Sequence, residues 1–385
     1  MSSGPELSEN APVSPYAGIR PEELPPVTPP SAGFIVQLFL IPALIVMAVV
    51  AVWALFGKLA DSESNWEQLV AETGSSNEHR RWRAALGLAQ LLRNEELTPP
   101  TDRAPLANHP LVVDSLTDLF VKSLASTTPS DDDITHQEFL ARMLGALDAD
   151  EKTLPALAEA ISETHNLEVR KSALMSVATI AGRHFDKATG YYALDGQPST
   201  PLSKRTLPLA SPTIDNPAIL EQLKHAAQDP QPVVRHLAAY ALANVSGPTA
   251  LGQLKVMLLD GNRFAQANAA LGLARNGSTD CVPTLTQLLN DSLKPFDRSA
   301  VSKQTPEQQR SAENSFEVEQ PQIVRNCLRA VSDLWPLLSD SQKAQLQSVT
   351  EKLASDFFAA DVRLQVGELL KSIRSLNAQP EAPAL

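Results

Sequence analysis

The sequence predicts an all-α protein, in which a solenoid of helical hairpins follows a single apolar N-terminal helix and a disordered tail. After Lys58, apolar residues recur at intervals of three and four, the spacing of amphipathic helices. Turn signals such as Asp229-Pro230 and Asn276-Gly277 divide this region into short segments. No sustained alternation of branched apolar and polar residues is present, so no sheet is expected.

Residues 1–33 have the composition of a disordered tail. Eight prolines lie among the first thirty residues, with four glutamates against the single basic residue Arg20. Such a stretch has too few apolar residues to form a core, so we expect an extended spacer. Two Pro-x-x-Pro spacings leave open that it docks into an aromatic groove.

Residues 34–57 are predicted to form one transmembrane helix. Between Phe34 and Phe56, 21 of 23 residues are apolar and none is charged. A helix of that length spans about 34 Å, and a bilayer core is about 30 Å thick. Trp53 and Lys58 are expected at the membrane interface. A buried core helix and a cleaved signal peptide fit less well, because the flanks are polar and the segment starts late and is too long.

The predicted localisation is therefore a single-pass membrane protein. The side of the membrane that carries the solenoid stays open, with Lys58 and the acidic tail favouring the cytoplasm. The chain has 32 basic and 44 acidic residues, a net charge of −12, so nucleic acid is not an expected partner. Its two cysteines fit neither a disulfide framework nor a zinc site, and we expect no metal.

Residues 58–375 carry a repeating unit. Each of four helices opens with a valine followed by an arginine and continues as an Ala- or Leu-rich run; these arginines are Arg170, Arg235, Arg325 and Arg363. A fifth helix has Gln266 at the arginine position, 31 residues after Arg235, a plausible length for a helix-turn-helix repeat. One such hairpin cannot bury its apolar face alone, so stacking of neighbours is expected.

These units resemble HEAT repeats over roughly residues 64–373, and Asp229-Pro230 with Val234-Arg235 is the clearest match. With the apolar helix and the tail, the chain is similar to membrane-anchored bacterial HEAT-repeat proteins. The resemblance implies that the four arginines form a structural ladder with acidic side chains or carbonyls of neighbouring repeats. The alternative is a line of cations that binds an acidic partner.

Two inserts interrupt the predicted repeats, at residues 182–215 and 292–319, and residues 376–385 are expected to be a disordered C-terminus. The first insert contains Tyr191, Tyr192 and Phe185, aromatic residues typical of a contact surface. The second is rich in charge and glutamine, with Phe296 and Phe316 as its aromatic residues. For both, a flexible excursion is the alternative.

Several smaller features have a structural and a functional interpretation. Asp131-Asp132-Asp133 favours the start of a helix over a cation site. Single helical histidines such as His225 and His236 are more often surface residues than ligands. Cys281 and Cys327 are interpreted as small buried apolar residues rather than as a bridge or a reactive thiol. The basic cluster of Arg80, Arg81 and Arg83 is interpreted as a solvated helix face, with a contact to anionic lipid headgroups as the alternative.

The sequence contains no readable catalytic motif. No Gly-x-Gly, phosphate-binding loop or Gly-x-Ser-x-Gly is present, and no histidine is followed by glutamate. The predicted function is a membrane-tethered scaffold or adaptor that binds an unidentified protein without a cofactor. The alternative is an enzyme similar to the bilin lyases, HEAT-like proteins that act on a chromophore.

Overall fold

The computed structural model describes residues 32–60, 66–101, 103–126, 128–190, 207 and 209–378. The chain divides into two compact units, Met1–Ser64 and Asn65–Leu385. The described part of the first unit is one long helix, α1 (Ala32–Ala60), with Pro42 in its interior. All described side chains of α1 are exposed, including the continuous run from Leu40 to Trp53.

Among the residues whose side chains the structure describes, no helix combines the length and the apolar composition that crossing a membrane requires. The transmembrane helix over residues 34–57 therefore stays a prediction.

The second unit is all-helical over its described residues and consists of seven consecutive helical hairpins. The first helices of the hairpins are α2 (Trp66–Thr73), α4 (Pro110–Leu124), α6 (Asp150–Ile161), α8 (Pro217–Ala226), α10 (Gly247–Met257), α12 (Val282–Ser292) and α14 (Asp340–Asp356). The second helices are α3 (Glu78–Leu97), α5 (Asp131–Ala146), α7 (Leu167–Thr189), α9 (Pro232–Val245), α11 (Arg263–Arg275), α13 (Pro306–Leu334) and α15 (Ala360–Ala378).

Second helices pack on one another in chain order, each between the helix before and the helix after it, from α3 to α15. The first helices also contact one another in chain order from α2 to α8, and α12 contacts α14. One continuous apolar core lies between the two layers and extends from Val70 to Ile373. This arrangement confirms the predicted all-α solenoid, because each hairpin buries its apolar face against its neighbours.

Small residues set the distance between second helices. A Cβ atom added to Gly272 of α11 would lie 2.5 Å from the Cβ of Ala243 in α9. A Cβ added to Gly145 of α5 would lie 2.9 Å from the Cα of Ser176 in α7. Both separations are below van der Waals contact, so these two seams require glycine.

The structure corrects the first insert, predicted at residues 182–215. Helix α7 continues to Thr189 and ends at Gly190, whose φ of 65° is the left-handed conformation that glycine adopts without strain. Residues 182–189 therefore belong to the repeat. The last described part of the insert packs on the solenoid, where the Thr213 amide donates to the Val245 carbonyl at 2.8 Å.

The second insert, predicted at residues 292–319, is half helical. Thr305 caps α13 in a capping box with Gln308, and Pro306 occupies the first turn. The preceding loop folds back on this helix, since Phe296 and Phe316 lie 5.4 Å apart and Arg298 pairs with Glu313 at 2.6 Å. The segment is thus an ordered extension of α13 rather than a flexible excursion.

Candidate functional site

Of the four repeated arginines, all but Arg325 lie in the first turn of a second helix, and Arg325 lies in the C-terminal half of α13. All but Arg363 pair with an aspartate of the next hairpin. Arg170 of α7 pairs with Asp229, which immediately precedes α9, and donates to the Ile161 carbonyl at 3.0 Å. Both side chains of this pair are buried. Asp229 also accepts from the Gln231 amide at 2.7 Å, so one carboxylate closes the turn before α9 and binds the preceding repeat.

Arg235 repeats this geometry one hairpin later. It donates from Nε and Nη2 to the two carboxylate oxygens of Asp260, at 2.8 and 3.0 Å. The hydrogen bond that Arg235 donates to Asp260 raises the pKa of Arg235. Burial acts to raise the pKa of Asp260, but hydrogen bonds from Arg235 and the Asn262 amide outweigh it and lower that pKa. Gln266, at the next arginine position, donates to the Asp260 carbonyl at 2.7 Å.

The remaining two arginines lie at the C-terminal end of the stack. Arg325 pairs with Asp361 in the first turn of α15, and its hydrogen bond lowers the pKa of that carboxyl. Arg363 donates to the backbone carbonyls of Phe357 and Phe358. All four arginines therefore have partners within the chain, which leaves no open line of cations for an acidic partner.

Sequence reasoning missed one member of this ladder. Arg81 of α3 pairs with Asp132 in the first turn of α5. The signal was present: Arg81 stands three residues before the string Ala-Ala-Leu-Gly-Leu-Ala, as Gln266 does in α11. Grouping Arg81 with Arg80 and Arg83 as a basic cluster hid this equivalence.

Each second helix from α5 to α13 carries an exposed or partly exposed side chain, and this set is called here the second-helix face; it comprises Phe139, Met175, His236, Phe264 and Gln322. Three of these residues make ring contacts. The ring centroids of Trp82 and Phe139 lie 5.8 Å apart in an edge-to-face arrangement, and those of His236 and Phe264 lie 5.5 Å apart.

Asparagine side chains fix the spacing beneath this face. Asn268 of α11 donates to the His236 carbonyl of α9 at 2.9 Å, and Asn326 of α13 donates to Asn268 at 2.9 Å. Deeper in the stack, Asn244 donates to the Ala178 carbonyl at 3.1 Å and accepts from Arg275 at 2.7 Å. Such buried bonds hold neighbouring helices in register, because breaking one leaves a buried polar group unsatisfied.

Two histidines of the second helices have perturbed titration. Burial, with a smaller contribution from Lys171, lowers the pKa of His236. Burial and the nearby Arg81 guanidinium lower the pKa of His136 in the second turn of α5. Both imidazoles are therefore driven towards the neutral form.

The aromatic contact predicted in the first insert is only partly described. Tyr191 and Tyr192 lie outside the described residues. Phe185 is fully buried in α7, with the Arg275 guanidinium 5.1 Å above its ring. The structure thus corrects Phe185 to a core residue, a position that the spacing of four from buried Ala181 already indicates.

The other singled-out residues have structural surroundings. Ser130 caps α5 and Asp133 completes the capping box, so the aspartate run occupies the first helical turn. Cys281 and Cys327 are free and buried, and burial raises the pKa of each thiol to about 12. Trp53 is exposed on α1, whereas the side chain of Lys58 lies outside the described residues.

Sites for small ligands are weakly developed in the described part of the chain. No group of three or more His, Cys, Asp or Glu residues there is arranged to hold a metal ion. A depression of about 740 Å³ runs along the exposed side of the α13 extension, from Glu307 to Glu319. It is open to solvent and lined mainly by polar and charged side chains, so it lacks the apolar enclosure typical of cofactor pockets.

Comparison with known proteins gives only distant likenesses to solved structures. No family model and no curated protein sequence matches the chain. An engineered protein of known crystal structure is 19% identical, with 81% of this chain and 97% of that chain covered and a TM-score of 0.35. Human deoxyhypusine hydroxylase, solved with glycerol, is 16% identical over 80% and 97% of the two chains, with a TM-score of 0.27.

A designed armadillo repeat protein in complex with the peptide (KR)4 is 14% identical over 80% of this chain and all of that one, with a TM-score of 0.32. At such identities and TM-scores, these likenesses say nothing about what this chain binds.

Proposed function

We propose that this protein is a membrane-tethered adaptor that binds another protein along the second-helix face. The observation that supports the proposal most is that each of the five second helices from α5 to α13 offers an exposed or partly exposed aromatic, thioether or amide side chain, two of which, His236 and Phe264, are in ring contact. Aromatic residues and methionine are enriched at protein interfaces, and a stack of repeats presents them on a rigid, extended surface.

Tethering by α1 is the second part of the proposal. It is supported by the uncharged, apolar run from Phe34 to Phe56 and by the exposure of the described α1 side chains from Leu40 to Trp53. An apolar helix of this length is costly in water and stable in a bilayer. Trp53 and Lys58 would then lie at the interface, with the solenoid on the cytoplasmic side.

Substitution on the second-helix face tests partner binding. The full chain, extracted in mild detergent, is compared with Met175→Glu, which adds a charge at a position with 41% exposure. A partner bound on this face should be lost. Val256→Glu on α10 is the matched control, because Val256 is 64% exposed on a first helix. Equal retention of one reproducible partner by both variants would refute this location.

The first insert provides a second candidate contact. Tyr191→Ala combined with Tyr192→Ala should weaken partner binding by about 1–3 kcal/mol without lowering the melting temperature if the tyrosines touch the partner. A lower melting temperature would instead place them against the solenoid. Loss of neither property would leave the second-helix face as the binding surface.

The enzymatic alternative, a protein similar to bilin lyases, predicts a different result from the same extract. A visible absorbance that copurifies with the chain in stoichiometric amount would favour action on a chromophore. Anchoring is tested separately by washing membranes with carbonate, which should leave the full chain in the membrane fraction; release would exclude a spanning helix.

A further inference from the structure

Helix α3 presents an exposed row of basic and apolar side chains that its own fold does not use. Six residues recur at spacings of three or four and are all exposed: His79, Arg83, Leu86, Gln90, Arg93 and Leu97. At 3.6 residues per turn these positions share one narrow face of the helix. We call this row the α3 stripe; it contains no acidic residue.

The arginines of the stripe differ from those of the ladder. Within the described part of the chain, Arg83 and Arg93 make no ion pair, and neither does the flanking Arg80. Arg81, on the opposite side of the helix, pairs with Asp132. None of these three cations pairs with a carboxylate of the described residues, although the chain has 44 acidic residues in all.

The position of α3 in the stack explains why its outer side is open. Among second helices, α3 packs only on α5, since it belongs to the first hairpin. Leu86 is consequently 59% exposed, whereas Leu271, at the same position of the same six-residue string in α11, is 9% exposed. Terminal repeats normally carry a polar outer face, so exposed leucines between arginines require a different explanation.

We propose that the α3 stripe binds the anionic headgroup surface of a membrane. The inference rests on the proposed tethering by α1 and extends it. Only five residues separate Ala60 of α1 from Trp66 of α2, so the chain connection between the tethering helix and the first hairpin is short. Arginines near an anionic surface are attracted to phosphate and carboxylate groups, and leucines between them enter the headgroup region.

Charge and tethering act together in this model. Each arginine close to an anionic surface strengthens binding about fivefold at moderate salt. The net charge of −12 repels most of the chain from such a surface, so contact is confined to a local basic stripe. A short tether raises the effective concentration of the stripe at the bilayer and makes a weak contact sufficient.

The test places an environment-sensitive fluorophore at Gln90→Cys, in the middle of the stripe, in the full chain reconstituted into vesicles. Cys281 and Cys327 are buried and should not be labelled. Vesicles contain either phosphatidylcholine alone or a mixture with about 30% phosphatidylserine. We expect a blue-shifted, stronger emission only with phosphatidylserine, and its reversal in high salt because charges near the surface are then screened.

Two variants identify the cause of the signal. Arg83→Glu with Arg93→Glu should reduce the ratio of docked to undocked chains at least about 25-fold. Arg329→Glu with Arg374→Glu, which changes two exposed arginines on other helices by the same charge, should leave it unchanged. A label at Gln345→Cys on α14 should not respond to the lipid composition.

The outcomes separate this inference from the tethering on which it rests. A chain that floats with both kinds of vesicle but gives the same emission in each overturns the stripe alone. A chain that floats only with anionic vesicles, and only with intact Arg83 and Arg93, supports the stripe and excludes the spanning helix. Flotation with neither kind overturns both. A blue shift that depends on the protein concentration instead of the lipid composition would indicate that a second copy of the chain binds the stripe, and would overturn the proposal.

Discussion

Replacing Gly272 by alanine should destabilise the solenoid, although alanine is the better helix former. The new Cβ would lie 2.5 Å from the Cβ of Ala243 and 3.0 Å from a methyl group of Leu254. Ala243 is part of α9, so relief requires α9 and α11 to move apart. Overpacking of this kind costs about 1–3 kcal/mol, whereas the gain in helix propensity is at most about 1 kcal/mol. We expect a net loss of about 1–2 kcal/mol.

The chain contains its own control for this prediction. Gly252, in the interior of α10, has no atom within 4 Å of an added Cβ. Gly252→Ala should therefore stabilise the protein by about 0.5–1 kcal/mol through helix propensity alone. The same substitution is thus expected to change the stability in opposite directions at two helical positions.

Chemical denaturation followed by circular dichroism at 222 nm, in one detergent for all variants, measures both effects. The midpoint should fall for Gly272→Ala and rise for Gly252→Ala. Gly145→Ala, where Ser176 lies in the way, should behave like Gly272→Ala. A midpoint at or above wild type for Gly272→Ala would show that α9 and α11 are not as closely packed as described, and would refute the argument.

Further predictions concern the ladder and the histidines. Asp260→Asn should lower the free energy of unfolding by about 1–3 kcal/mol, because it leaves the partly buried Arg235 with a neutral partner. Lys294→Ala, which breaks an exposed pair with Asp291, should change that free energy by less than about 0.5 kcal/mol. Equal effects of the two substitutions would contradict a structural ladder. Burial lowers the pKa of His236 in the folded protein. The contribution of His236 to stability is therefore fully present above the pKa of the unfolded chain, near 6.5, and is lost as the pH falls from that value towards the lower pKa of the folded protein. His236→Gln should flatten the decline of the denaturation midpoint between about pH 7 and pH 5, and an unchanged slope would count against this assignment.

Much of the architecture was readable from local sequence. The helical periodicity and the Val-Arg steps placed the second helices α7, α9 and α15 and the C-terminal half of α13, because a pattern of burial repeats when the structural unit repeats. The first half of α13 was assigned to an insert because of its mixed charge, although Thr305, Pro306 and Gln308 are typical of a helix start. The spacing of residues, rather than their composition, indicates the exposed face of α3 and the burial of Phe185.

The string Ala-Ala-Leu-Gly-Leu-Ala occurs in both α3 and α11. A comparison of its two copies shows what the sequence determines and what the tertiary structure decides. By itself the string determines a helix with a small-residue seam, and both copies are helical. Only the stack decides that Leu271 is buried while Leu86 is exposed. Likewise, a Cβ on Gly272 would meet Ala243 of a rigid neighbouring helix, and one on Gly87 would meet the movable Leu69 side chain at 3.2 Å. The physical reason is that helix formation depends on local spacing, whereas burial depends on whether another repeat packs on the same face, and α3 has such a neighbour on one side only.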